Sequence, residues 1–358
     1  MKGTRMDRSL LVIDQDLTVA LEDWYLHIRL GKRQKASDMY HELSDRVEEL
    51  KQEDTLYIVY LLLSCRFHVL VSDLKKSKWY HDEAGKYKHA FVPALHYYYH
   101  LAEGMRLGEE TEYMSALASF EQAEEYLSSM EDEVEHGDFH FRKAMTYFYL
   151  DISSLSVFHT EYAVKVFEKY PAYRYLLARS LLMRGLNLID QKRFNQAENA
   201  LNDALSHTDF KNEGALAALI QHNIGYLYAA QQMPLAAIPY LTAARKYRTY
   251  PAYLKTLFLL ADSYWKTGQQ VKAMDAYQKG FQLSIDEQDD IKWEFAMLHK
   301  KFVDRANFET VWTEGIQYFL EQGDKFNVRT YASELAAYFT ETGQDNMAIY
   351  YYKLSLQS

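Results

Sequence analysis

The chain has 358 residues, 48% of them hydrophobic, and a formal net charge of −10. That balance excludes a general nucleic-acid binder, which needs a basic face for phosphates, while the length exceeds a typical single globular domain. Only 14 Gly and 5 Pro are too few turn residues for a strand-rich architecture, so long helices joined by short loops are expected. The single cysteine, Cys65, permits no intrachain disulfide and fits a reducing compartment.

At the N-terminus, MKGTRMDRSLLVIDQDL holds an apolar run too short for the core of a signal peptide. The longest apolar stretch, residues 56–65, is too short to span a bilayer, so a cytoplasmic protein without a membrane segment is expected. Residues 17–30, 36–50 and 55–74 carry apolar side chains three or four apart and read as three helices. Their short loops, one containing Gly31, predict a three-helix bundle over residues 1–75 that lacks the repeat signature described below. It shows no helix-turn-helix pattern, so direct reading of DNA is not expected. Residues 76–92 are polar, lysine-rich and include Gly85, and read as a linker.

From residue 93 onward a different pattern takes over. In a tetratricopeptide repeat two antiparallel helices approach closely, which demands a small residue midway along the first helix and a large apolar one a turn later. The second helix then needs an early Ala, a large residue a turn on, and a small residue near its end. Gly225, Tyr228, Ala237, Leu241 and Ala244 fill these places in order. So do Ala261, Tyr264, Ala273, Tyr277 and Gly280, with Gly268 as the turn between the helices. Gly185, Leu188, Ala197, Leu201 and Ala204 form the preceding unit, and Gly104, Leu107, Ala116, Phe120 and Ala123 the first. Ala336, Phe339, Ala348, Tyr352 and Ser355 form the last, turning at Gly343. Weaker units at Ala144, Tyr147, Ser156 and Ala163, and over residues 298–321, fill the gaps. The prediction is an all-α chain: the bundle, the linker, then a right-handed superhelical array of about seven repeats over residues 93–358, its concave face lined by the first helices. Such a face binds extended or helical polypeptides.

The sequence carries little that points to catalytic chemistry. There is no phosphate-cradling glycine loop, nucleophile elbow or cysteine-rich metal motif. His96 with His100 and His136 with His140 share helix faces at the spacing a zinc site uses, yet no third ligand stands at a motif spacing. Both pairs read as packing or surface histidines, so no metal and no cofactor are expected. Glu131-Asp132-Glu133 reads as a solvated acidic start of a helix.

Several stretches, taken together and in order, resemble the Rap family of bacilli, the response-regulator aspartate phosphatases and their non-catalytic relatives. They are Glu22-Asp23-Trp24-Tyr25 with Ile28; Tyr97-Tyr98-Tyr99 leading to Glu103-Gly104-Met105; Glu131-Asp132-Glu133-Val134-Glu135 followed by Phe139, Phe141 and Ala144; Asn187-Leu188-Ile189-Asp190; and Asn223-Ile224-Gly225. The resemblance covers essentially the whole chain. It implies that the N-terminal bundle grips a two-component response regulator or its DNA-binding domain, and that a short signalling peptide occupies the repeat groove. Carried over residue by residue, it makes Asn187, Asp190 and Asn223 peptide contacts; an asparagine can donate to and accept from a peptide backbone, and Asp190 can pair with a peptide cation.

Two departures stand out. Phosphatase members orient the attacking water with a Gln of the bundle, but gapless alignment on Arg66 puts Asp54 at that place, where its carboxylate would repel an aspartyl phosphate. Gln52 serves as the catalytic Gln only with a shift of two residues. The segment from Glu294 to Lys300 also reverses the charges that the resemblance leads one to expect, which would change or abolish control by peptide.

Overall fold

The computed structural model describes residues 15–357, so the N-terminal stretch read against a signal peptide lies outside the described residues. Among the described residues the regular structure is helical, with no strand. The helices are α1 (Gln15–Arg29), α2 (Arg33–Asp45), a single turn α3 (Val47–Leu50), α4 (Asp54–Leu70) and α5 (Leu74–Gly85). Seven antiparallel pairs follow: α6 (Pro93–Glu109) with α7 (Tyr113–Leu127), α8 (Glu133–Tyr149) with α9 (Ser153–Phe167), and α10 (Arg174–Asp190) with α11 (Phe194–Ser206). Then come α12 (Gly214–Ala230) with α13 (Pro234–Ala244), α14 (Tyr253–Lys266) with α15 (Gln270–Asp286), α16 (Ile291–Phe302) with α17 (Phe308–Glu321), and α18 (Lys325–Glu341) with α19 (Asp345–Gln357). The chain divides into two compact units, Met1–Asp209 and Phe210–Ser358.

The reason for the small residues is visible at atomic distance. A Cβ at Gly104 would stand 2.6 Å from the Phe120 ring, one at Gly185 2.6 Å from Leu201 and one at Gly225 2.5 Å from Leu241. In each case the large residue of the second helix fills the space the absent side chain leaves, so the helices nestle at the distance repeats need. The early alanines of the second helices, Ala116, Ala197, Ala237 and Ala273, are fully buried.

The N-terminal region differs from the sequence expectation in two ways. First, residues 76–92 are not a simple linker, because α5 occupies most of their first half. Asp73 caps α5 by accepting from the Lys76 amide at 3.1 Å. Its buried face is Ser77, His81 and Ala84, a stripe of small or polar residues that conceals the helix in a lysine-rich composition. Secondly, α1–α2 and α4–α5 are hairpins of the same design as the repeats. Ser77 Oγ donates to the Cys65 carbonyl at 3.1 Å, as Ser156 Oγ does to the Ala144 carbonyl at 3.0 Å in the second repeat. In α1–α2 the bond runs from Trp24 Nε1 to the Ala36 carbonyl at 2.8 Å. Two turns beyond Trp24, Cys65, Gly104, Ala144, Gly185 and Gly225 the chain enters left-handed φ at Gly31 (64°), Ser72 (64°), Thr111 (62°), Asp151 (59°), Lys192 (57°) and Gln232 (57°). The repeat signature escaped detection here because Trp24 and Cys65 stand where a glycine or alanine was sought.

One continuous core runs from Leu17 through α4 and α6 to Phe139 of α8, so the N-terminal hairpins and the first repeats share their interior. Within it lies a charged cluster carried by the first helices of their hairpins. Arg29 of α1 meets Glu135 at 3.1 Å and the α8 cap Asp132 at 3.3 Å, while Arg66 of α4 meets Asp138 at 2.8 Å. Tyr25 donates to Glu135 and receives a bond from Arg66 Nη1 at 3.2 Å. Arg29, Arg66, Glu135 and Asp138 are all 3% exposed or less. The acidic run around residue 133 does start a helix, as read, but it is not simply solvated: Asp132 takes part in this cluster and Glu133 accepts from Lys169 at 2.5 Å.

Burial alone would push the Asp138 carboxyl up, but Arg142 and Arg66 beside it outweigh that and hold it at about 2 against an ordinary 3.8. A carboxyl depressed on folding stabilises the native state above its unfolded value and ceases to do so as pH falls through its folded one. Thermal unfolding followed by circular dichroism is therefore expected to weaken between about pH 4 and pH 2, and Asp138→Asn should flatten that part of the profile while lowering stability at neutral pH by about 3–5 kcal/mol.

Candidate functional site

In the first unit α9, α10 and α11 enclose a polar cavity of about 380 Å³ whose lining includes Thr160, Glu161, Arg184, Asn187, Gln191 and Asn199. Gly185 brings α10 close to α11, and this sets the depth at which Asn187, two residues on, sits. Asn187 is 1% exposed; its Nδ2 donates to Thr160 Oγ1 at 3.4 Å and its Oδ1 is buried without a partner. At the rim Arg184 forks onto Glu161 with Nε at 2.8 Å and Nη2 at 2.6 Å. A buried acceptor awaiting an N–H, among side-chain amides that donate and accept, suits a polypeptide backbone.

Asp190 shares α10 but is exposed and does not line that cavity. Desolvation by the surrounding protein, and then the Asp151 carboxylate, raise its carboxyl above the ordinary value. Asn223 belongs to the second unit, on α12, where its Nδ2 donates to the Leu219 carbonyl one turn back at 2.8 Å. One of its two amide hydrogens is thereby engaged inside its own helix.

The sequence reading passed over a second cavity of the first unit, about 210 Å³ between α6, α7 and α8. Gly104, Tyr113, Phe120, Arg142, Met145 and Tyr149 are among its walls. Tyr113 and Tyr149 stack at 4.8 Å, and Arg142 Nε is fixed by Asp138 at 3.2 Å. Arg179 of α10 stands over the Phe141 ring at 4.8 Å. Two guanidinium groups on neighbouring first helices, beside aromatic walls, suit a carboxylate with apolar flanks. In the sequence only Arg142 carries a signal, its place one turn after Asp138, and no motif marks either arginine.

Gln52 is exposed in the turn between α3 and α4, and Asp54, also exposed, opens α4. In the second unit Glu294 is 5% exposed and accepts from Lys255 and, at 2.5 Å, from the Tyr331 hydroxyl. Lys300 pairs with Asp304 at 2.6 Å. The reversed charges thus have partners of their own within the second unit.

The paired histidines are engaged individually. His96 stacks on Tyr126 at 4.8 Å, His136 Nε2 lies 2.8 Å from the Met130 carbonyl, and His140 Nδ1 lies 2.6 Å from His159 Nδ1. Among the described residues no three His, Cys, Asp or Glu converge as a metal site would require. Burial, followed by the neighbouring His159, pushes His140 down to about 3, and burial followed by Lys143 pushes His159 down to about 4, against an ordinary 6.5. These rings are neutral when folded but take up protons when unfolded, so their contribution is present above about pH 6.5 and declines as pH falls below it. The melting temperature is expected to drop already between pH 6.5 and 5, above the range in which Asp138 acts, and less so in His159→Gln.

Residues 12–72 match the family described as response regulator aspartate phosphatase H, N terminal. Regulatory protein RapG of Bacillus subtilis (strain 168) is 26% identical over 74% of this chain and 73% of its own. Response regulator aspartate phosphatase I of the same organism is 24% identical over 100% of this chain and 94% of its own. Among solved structures, a Rap protein complexed with Competence and Sporulation Factor superposes with a TM-score of 0.81 at 21% identity, over 96% of this chain and 97% of that one. At that identity it shows the fold. No helix among the described residues is long and apolar enough to cross a membrane.

Proposed function

Since the chain belongs to the Rap family, we propose that it is a cytoplasmic, peptide-sensing regulator of two-component signalling. In this reading residues 1–75 bind a response regulator or its DNA-binding domain and inhibit it, and residues 93–358 bind a short signalling peptide. The observation that carries the peptide reading is the unpartnered Oδ1 of Asn187, buried at a polar cavity of about 380 Å³. Arg142 and Arg179 would receive a peptide carboxylate, and Asp190 a peptide cation. Asn223 contributes through its Oδ1 and its second amide hydrogen, the first being bonded within α12. The cytoplasmic assignment rests on the buried free thiol of Cys65.

Inhibition by binding is favoured over hydrolysis because an aspartate, Asp54, opens α4 where a water-orienting Gln would stand. The exposed Gln52 two residues earlier keeps a second reading, that of an aspartyl-phosphate phosphatase. A pull-down against a panel of response regulators, followed by phosphate release from the phosphorylated captive, separates the two. Capture without accelerated dephosphorylation is expected. Hydrolysis that disappears in Gln52→Ala would establish the phosphatase, and capture of no regulator would overturn the regulatory reading itself. For the groove, Asn187→Ala is expected to weaken a labelled cognate peptide roughly 3–10-fold in fluorescence anisotropy, the worth of one hydrogen bond. Unchanged affinity would remove Asn187 from the site.

A further inference from the structure

Helix α5 is clasped from both sides by histidine rings. From α4, His68 stacks on Tyr80 of α5 with ring centroids 5.3 Å apart and meets Tyr40 of α2 edge-on at 5.1 Å. From α5, His81 stacks on Tyr99 of α6 at 3.9 Å. Both histidines are 3% exposed, yet both nitrogens of His68 and the Nε2 of His81 are buried without a hydrogen-bond partner. Phenylalanine would make the same stacks without leaving buried polar atoms unsatisfied, so packing alone does not account for an imidazole at both places.

What an imidazole can do and a phenyl ring cannot is take up a proton. An imidazolium donates from both nitrogens, and the buried nitrogens here face no acceptor. The charged groups facing His68 are Asp73 and Lys76 at the start of α5, which pair with one another at 3.6 Å. The hydroxyls of Tyr40 and Tyr80 beside it are likewise engaged with each other at 2.7 Å. Facing His81 are Glu103 and Arg106 of α6, Lys88 in the turn before it, and Asp82 on α5 itself, whose Oδ1 lies 4.0 Å from Nδ1. Burial outweighs the carboxylates in both cases and pushes each ring down to about 4, against an ordinary 6.5. Neutral when packed and protonated when released, the rings hold α5 fully above about pH 6.5 and progressively less below it.

We propose that α5 is an acid-released latch, in which protonation of His68 and His81 lifts the helix from α4 and α6 while the rest of the fold stays intact. Lifting it uncovers the face of α4 that carries Cys65, the single cysteine, whose Sγ lies 3.3 Å from Ser77 Oγ of α5. The latch is independent of the regulatory reading above.

Labelling of Cys65 in the full chain with dithiodipyridine reads the opening directly, provided glutathione is labelled alongside at each pH to remove the reagent's own dependence. Protection of the thiol is expected to fall about 100-fold between about pH 7.5 and 5.5, about 10-fold for each ring, with helical circular dichroism unchanged. In His68→Phe and in His81→Phe the fall should shrink to about 10-fold, and in the double variant it should vanish. His68→Gln, a neutral side chain of different shape, should match His68→Phe. Protection indifferent to pH in the wild type overturns the proposal. So does a full pH response in the double variant, which would place the titrating groups elsewhere. Loss of the helical signal by about pH 5.5 overturns it too, because the whole fold and not this one seam would then be giving way.

Discussion

The first unit depends on a compensation of charge in a place without water. Arg29 and Arg66 come from helices near the N-terminus, whereas Glu135 and Asp138 come from α8, and all four are almost fully buried. An unpaired charge in such a position costs several kcal/mol, so neither set of helices can withdraw alone without leaving ions stranded. The hydroxyls of Tyr25 and Tyr97, both directed at Glu135, supply the hydrogen bonds that a buried carboxylate needs beyond its ion pair. The cluster therefore fixes which first helices face one another, a matter on which greasy side chains are indifferent. The remaining apolar core, from Leu17 to Phe139, closes around it.

Small residues set spacing and charges set identity, and this explains what could be read in advance. Glycine and alanine in phase disclosed five of the seven pairs from α6 to α19, and the gaps between them the other two, because their role is steric and local: the Phe120, Leu201 and Leu241 side chains occupy the volume each missing Cβ leaves. The same design in α1–α2 and α4–α5 went unrecognised. Trp24 and Cys65 meet their partner helices through hydrogen bonds to Ala36 and from Ser77, so the close approach survives without a glycine. Helix α5 was hidden for a related reason, since its buried face is built from Ser77, His81 and Ala84 rather than from large apolar residues.

The candidate site was legible only in part. Asn187 does line a cavity with an acceptor to spare, whereas Asp190 faces solvent and Asn223 turns one amide hydrogen back to the Leu219 carbonyl. Residues two or three apart on a helix can look equivalent in a motif and still point into different surroundings, and only tertiary packing decides which. Arg142 illustrates the converse. Nothing near it in the sequence marks it, and its significance arises from Asp138 one turn earlier and from Arg179 on the neighbouring first helix.

The turns between paired helices carry a consequence for how the chain can change. Thr111, Asp151, Lys192 and Gln232 all hold left-handed backbone at the crest of their hairpins, a conformation in which a Cβ is penalised, while Gly268 and Gly343 hold it freely. Each such residue leaves about 1 kcal/mol of native-state strain that a glycine would relieve, partly offset by the looser unfolded chain. These crests are thus a margin the lineage has left unused, available to absorb destabilising drift at the binding surfaces without any alteration of the architecture.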